Sequence, residues 1–472
     1  MDSTTKRKFF NFSMLATIIA LAWPTMLEQL MQTAVQYIDT AMVSSLGTSA
    51  TAAVGSTTTV NWLVGSTISA FGVGFLAFIS QKLGAGENEL ARRASAQSVL
   101  SVLVAGILFT VLTLAVSGSV PGWMQVDENI RGVASEYFFI LYTPMLFRTA
   151  TIIFGTVLRA AGDTKTPMIV GVGVNLINVA LNFLLIYESR VITVFGWSFN
   201  MWGAGMGVVG AALASAVSVA AGGIAITCAL MRHRVISPKG ISIAPDMQVL
   251  KPCMRVAFPN MLQRFGTSFG YVAFAAMINS LGEISTAAHT VANTVESAFY
   301  IPGYGMMAAA ATLTGNAIGA GDRRGLKELA RMNMALEVLL MTVSGALLFI
   351  FAPQMVGIFS RDKTVLSLGT TVLRMVACSE PIFGVSLVIE GMMQGAGKTV
   401  APFVFNIVGM WAVRIAGTFV CTRLLGLGLV SAWACMIGHN IILFTLFAIY
   451  YARGGWNPLN NTLNYDRMMN GN

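Results

Sequence analysis

The sequence predicts an all-α polytopic membrane protein, with twelve transmembrane helices in two parallel six-helix repeats around a central cleft. Three observations predict it. Only 10% of the 472 residues are charged and 55% are hydrophobic, against roughly 25% charged in a soluble domain. Apolar stretches long enough to cross a ~30 Å hydrocarbon core recur twelve times. The chain also matches itself when shifted by 235 residues.

A water-facing surface for a chain of this length cannot be made from so few charges, so lipid is the main solvent. The expected spans are 14–45, 51–82, 95–118, 133–158, 167–187 and 203–231, then 254–281, 286–315, 331–352, 366–394, 402–425 and 427–452. Alternate loops hold twenty and five Lys and Arg residues, and by the positive-inside rule both termini are cytoplasmic. The net charge of +9 is absorbed by that asymmetry and implies no nucleic-acid partner. The expected organisation is a cytoplasmic tail (1–13), an N-terminal lobe (14–231), a polar linker (232–252), a C-terminal lobe (253–452) and a second cytoplasmic tail (453–472).

The repeat is carried by particular residues. The stretch from Trp23 lies over that from Phe258, QKLGAG from Gln81 over NAIGAG from Asn316, and RAAGDTKTP from Arg159 over QGAGKTVAP from Gln394. One offset holds from Pro24/Pro259 to Pro167/Pro402. After the fifth span the first half carries about 14 extra residues, within ESRVITVFGWSFNMW. Six spans per half make the halves parallel, an arrangement that commonly encloses a midplane site and rocks to give alternating access.

An ionisable residue inside a span costs about 2.5–3.5 kcal/mol on insertion scales, so each one calls for a reason. Glu28, Gln32, Val35 and Asp39 share one face of the first span at helical spacing, a polar stripe suited to a cavity. Asn178 and Asn182 are one turn apart on the fifth span, and Ser215 lies in the sixth. In the second half Phe274 takes the slot of Asp39. There His289, Asn293 and Glu296 form a second stripe, and Glu380 and Glu390 lie in the tenth span. Arg148, Arg264, Arg374 and Arg414 fall within or at the ends of spans. Arg148 is a potential partner for Asp39, while Arg264 and Arg414 are expected to neutralise two of the glutamates. The five cysteines have no metal-ligand or redox spacing. No H-E-x-x-H or G-x-S-x-G motif is present, so an enzyme is not expected.

The pattern P-x14-D-T-x-M-V-x2-L-G from Pro24 to Gly47, the GAG turn after the second span, the RAAGDTKTP turn before the fifth and N-x3-N at Asn178 and Asn182 together resemble the MATE family of multidrug and toxic compound extrusion transporters. The resemblance covers nearly the whole chain. It implies export of amphipathic, often cationic, organic molecules driven by inward H⁺ or Na⁺, with no other cofactor or metal. It places the coupling ion at Asp39, Asn178, Asn182 and Ser215. Some branches carry an acid where this chain has Asn182. Glu28, Gln32, Asn293, Glu296 and Glu390 are candidates for the substrate cavity, and His289, Glu380, Arg148, Arg264 and Arg414 are weaker ones. The expected partners are small organic substrates and membrane lipid, with the chain acting as a monomer in a bacterial inner membrane. Members of the same broad superfamily flip lipids or lipid-linked saccharides, which is the alternative.

Overall fold

The computed structural model describes residues 12–124, 126–194 and 197–460. Most of the two expected tails, including Lys6, Arg7, Lys8 and Arg467, lies outside the described residues.

The first half contains α1 (Phe12–Ser44), α2 (Thr48–Gly84), α3 (Asn88–Val116), α4 (Val120–Trp123), α5 (Glu128–Tyr142), α6 (Met145–Ala160), α7 (Lys165–Leu185) and α8 (Gly207–Arg232). The second contains α9 (Met247–Asn279), α10 (Glu283–Phe299), α11 (Ile301–Gly319), α12 (Arg323–Phe359), α13 (Lys363–Ala377), α14 (Glu380–Gly395), α15 (Val400–Val408), α16 (Ala416–Phe419) and α17 (Leu429–Ala452). Two π-helical stretches, Gly409–Ile415 and Val420–Leu424, interrupt the eleventh span.

The 235-residue offset reappears in these bounds. It maps α1 onto α9, α5 onto α13 and α6 onto α14 end for end, and α3 onto α12 at its start. The fourth and tenth spans are bent alike, by 49° and 52°, at breaks between α5 and α6 and between α13 and α14. Pro144 precedes α6 and a proline occupies the first turn of α14, where a missing N–H and fixed φ break the ladder. Among the described residues eight helices are long and apolar enough to cross a membrane, and the two bent pairs raise this to ten. The remaining two spans are α9, which carries Arg264, and α10–α11, interrupted at Tyr300.

The extra residues of the first half form an antiparallel hairpin of β1 (Glu188–Val194) and β2 (Trp197–Ala204), with Arg190 opposite Met201. The Arg190 guanidinium lies 3.9 Å from the Tyr187 ring centre. The linker is shorter than expected, because α9 begins at Met247 and takes in residues 247–252.

The chain divides into two compact units. One consists of Leu27–Phe75 and Asn88–Met254. The other consists of Met1–Met26, Leu76–Glu87 and Arg255–Asn472, insofar as these are described.

Within the first of these units the linker is strapped to the start of α3. Gln97 Nε2 donates to the Ala244 carbonyl at 2.8 Å, and Gln97 Oε1 accepts from the Asp246 N–H at 3.1 Å. Arg93 pairs with Asp246, and Arg92 donates to the Ser237 and Lys239 carbonyls at 3.1 and 3.0 Å. A cavity of about 420 Å³ lies under the strap, lined by Glu89, Arg93, Gln97 and Ser242 among others.

In the other unit, Ile18 and Ala22 of α1 are buried with Met306 and Ala310 of α11, Met392 of α14 and Phe447 of α17. Lipid tails are as apolar as leucine, so this burial stabilises through packing contacts more than through removal from water. Close approach is set by glycine. A Cβ on Gly84 would overlap the backbone of Asn316, and a Cβ on Gly319 would overlap the carbonyl of Gln81. Gln81 Nε2 also donates to the Gly395 carbonyl at 2.8 Å.

Candidate functional site

Asp39 is half-buried near the end of α1, and the neighbouring α7 presents Asn178 and Asn182 one turn apart. Asn182 Nδ2 donates to Asp39 Oδ1 at 2.6 Å. Asn178 lies between the acid and α8. With its amide oxygen accepting from Ser215 Oγ at 3.1 Å, its nitrogen is 2.8 and 3.1 Å from the two Asp39 carboxylate oxygens. The choice of amide orientation follows the hydrogen-bond network. The structure thus brings together Asp39, Asn178, Asn182 and Ser215. Asn182 Oδ1 is buried without a donor, so the cluster offers an oxygen beside a carboxylate. An oxygen-only set of this kind suits a hard monovalent cation or a proton. Among the described residues no group of three or more His, Cys, Asp or Glu could hold a metal ion.

The rest of the stripe separates. Glu28 is ion-paired with Arg159, 2.7 Å from its Nη2, and Gly171 leaves room for it, since a Cβ there would be 3.2 Å from Glu28 Cγ. Val35 is buried and Gln32 exposed. Arg148 does not pair with Asp39. It donates to the Asn61 side-chain oxygen and lies 6.0 Å from the Tyr142 ring centre. Tyr137, buried within electrostatic reach of both Asp39 and Arg148, carried no signal in the sequence beyond being a tyrosine in a span.

In the second half the expected neutralisation by arginine is not formed. Among the described residues neither Arg264 nor Arg414 joins an ion pair with a glutamate. Glu390 is held instead by three amides: Gln263 at 2.9 Å, Asn406 at 3.2 Å and Gln394 at 3.3 Å. Glu296 is buried beside the Tyr300 hydroxyl, with Oε2 unpartnered. Asn293 on the same helix is exposed, and His289 packs edge-on to Phe274 with ring centres 5.6 Å apart. Glu380 is buried with both oxygens unpartnered. So is Glu337 of α12, which the sequence reading passed over although it stands mid-span, one turn after Asn333. A Cβ on Gly384 would overlap the Glu337 carboxylate, so α14 is glycine where it meets that acid.

A twofold-repeated bundle with one acid–amide cluster in its first half now has a context among known proteins. The family model MatE matches residues 24–184 and 259–449. The chain belongs to the MatE family. The two matched blocks begin 235 residues apart, at the repeat offset, and MatE is a family of membrane transporters, so the chain is a multi-pass membrane protein with twelve spans in two repeats. A relative from Thermotoga maritima, named probable multidrug resistance protein NorM, is 26% identical over 439 residues, spanning 93% of this chain and 92% of its own. Probable multidrug resistance protein YoeA of Bacillus subtilis is 25% identical over 415 residues, 87% of each chain. Among solved structures, MATE in complex with MaD3S superposes with a TM-score of 0.85 at 22% identity, covering 94% of this chain and 96% of that one. A MOP superfamily transporter from Pyrococcus furiosus, described as having a binding pocket of reverse polarity, gives 0.86 at 22% identity over 98% and 100%. At that identity the likeness concerns the fold alone.

Proposed function

We propose that this MatE family member is a secondary active exporter of amphipathic, mainly cationic organic compounds, driven by inward movement of H⁺ or Na⁺ through alternating access of two lobes, 14–231 and 253–452. The observation that carries the reading is the Asp39 cluster. A single carboxylate held by two amides, one of them braced by the Ser215 hydroxyl, with a spare amide oxygen beside it, can take up a proton or a small cation and release it as hydration changes. Acids outnumber unpaired arginines in the spans once Glu337 is added, which favours cationic cargo. The names of the relatives support multidrug cargo. The protein acts as a monomer in the inner membrane with both termini cytoplasmic, and needs no cofactor beyond the coupling ion and no nucleic acid.

The test is efflux of a fluorescent organic cation from proteoliposomes under a pH gradient and, separately, a Na⁺ gradient, with wild type and Asp39→Asn. Movement driven by one gradient and lost in the variant is expected, and the effective gradient names the ion. Normal efflux by the variant removes Asp39 from the mechanism. If neither gradient moves any cation and labelled lipid crosses between leaflets in proportion to protein dose, the chain is a flippase of lipids or lipid-linked saccharides.

A further inference from the structure

Buried polar groups almost always find hydrogen-bond partners. One neighbourhood in the second half departs from this: several unpartnered nitrogens, most of them able to donate, gather there around one cation. Arg414 is only 4% exposed and sits on the π-helical stretch Gly409–Ile415. Its guanidinium carbon lies 4.2 Å from the ring centre of Phe274 and 4.9 Å from that of Tyr271. Among the described residues it has these ring contacts but no hydrogen bond or ion pair, and its Nε is buried without a partner. His289 stands edge-on to Phe274 on one side and to Trp433 on the other, with the second pair of ring centres 5.9 Å apart. The Trp433 indole nitrogen, His289 Nδ1 and both ring nitrogens of His439 are likewise buried and unpartnered. His439 reaches this place because residue 409 is glycine, where a Cβ would come within 2.5 Å of the imidazole. Arg414 is the charge felt by both histidines.

A guanidinium and an indole only donate, and each neutral imidazole adds one N–H. A bare cation in a low-dielectric interior is costly unless an anion joins it. Glu296 is within electrostatic reach but bonds Tyr300 and makes no ion pair with Arg414. The aromatic faces of Phe274 and Tyr271 hold the guanidinium by cation–π attraction, which fixes its direction without using its N–H groups.

We propose that the cluster around Arg414 binds an anionic group, either a carboxylate carried by an organic molecule or a free inorganic anion. Arg414 supplies the charge, and Trp433, His289 and His439 supply further donors. The site shares no residue with the Asp39 cluster and does not depend on coupling.

The experiment is calorimetric titration of the purified full-length protein in detergent with sodium benzoate, with benzyl alcohol as the uncharged counterpart, and with benzoate in the presence of increasing chloride. Saturable benzoate binding is expected, with none for benzyl alcohol. Arg414→Gln should weaken benzoate by about 30-fold or more, the loss expected when one partner of a buried charged pair is truncated, while Arg414→Lys should restore part of it. Competition by chloride identifies a free-anion site, and its absence identifies a site for organic carboxylates. Equal affinity in Arg414→Gln, or no saturable binding to the wild type, overturns the proposal. Should Arg414→Gln fail to fold, Trp433→Phe removes one donor at nearly constant shape, and unchanged benzoate affinity in that variant overturns it equally. No gradient is imposed, so Asp39→Asn should bind benzoate normally even where transport is lost, which separates failure of this site from failure of the transport reading.

Discussion

Asn182 Nδ2 lies 2.6 Å from Asp39 Oδ1, and this contact ties α7 to the one carboxylate of the first-half cluster. A hydrogen bond to a charged group contributes about 1.5–3 kcal/mol, roughly a 10- to 100-fold change in any equilibrium it governs. Asn182→Ala should therefore cut the initial rate of gradient-driven efflux by at least about 10-fold while the protein still inserts and purifies. Asn182→Asp, which replaces the donor with a second acid, should be impaired as well. Efflux at the wild-type rate in Asn182→Ala would show that the bond is structural.

Two buried glutamates should respond in opposite ways to an apolar replacement. Glu390→Met leaves the Gln263, Gln394 and Asn406 amides without their acceptor, at about 1–3 kcal/mol per orphaned group, and a clear fall in melting temperature is expected. Glu337→Met removes a carboxyl whose oxygens have no partner and leaves no donor stranded. Its melting temperature should hold or rise. Fluorescence-monitored thermal unfolding in detergent compares the two.

The α2–α11 crossing tolerates no side chain at Gly84 or Gly319. Overpacking of such a contact costs about 1–3 kcal/mol, and valine more than alanine. Gly84→Val and Gly319→Val should each lower yield and thermal stability to a similar extent, whereas Gly118→Val, with open space around its Cβ position, should do neither. Size-exclusion yield and melting temperature are the readouts.

The strap on α3 hangs on Gln97, whose amide serves both Ala244 and Asp246. Gln97→Ala should expose the 233–246 segment, seen as several-fold faster tryptic cleavage at Arg234 or Lys239 in the folded protein. Arg93→Ala should do less, because the Arg93–Asp246 pair is partly exposed and such pairs contribute about 0–1 kcal/mol.

His233 makes that segment pH-sensitive. Its Nδ1 accepts from the Val235 and Ile236 N–H groups, both at 3.2 Å, which only the neutral ring can do. Burial holds its pKa below the ordinary 6.5. The folded segment therefore binds fewer protons than the unfolded one, and its stability is full above pH 6.5 and declines as pH falls below that value. Tryptic cleavage at Arg234 or Lys239, corrected for the pH dependence of the protease on an unfolded peptide, should quicken between pH 7.5 and 5.5. His233→Asn, which retains an acceptor without a charge change, should flatten that profile.

Much of this architecture was legible because duplication leaves a register that chance does not, and the 235-residue offset between Pro24 and Pro259 also relates the helix ends. For the Asp39 cluster, N-x3-N spacing showed that Asn178 and Asn182 share one helical face, and the family resemblance is what set that face and Ser215 beside Asp39. Glu337 was missed because it stands alone in a long apolar helix with no motif around it. Neither Arg264 nor Arg414 pairs with a glutamate as expected, because charges on different spans leave no spacing in the sequence to match; Arg414 turns to aromatic faces instead. It meets Phe274, the residue that occupies the slot of Asp39, and an acid in one half is thus matched by a cation on a ring in the other.

The glycine crossing reaches back to how the chain arose. Gly84 and Gly319 are 235 residues apart, as are Gln81 and Asn316, so the touch of Gly84 on Asn316 and that of Gly319 on Gln81 are one contact seen from its two ends. An isologous contact of this kind is what two identical subunits make across a twofold axis. Joining two six-helix copies in one chain therefore needs no new interface at this crossing, only a linker.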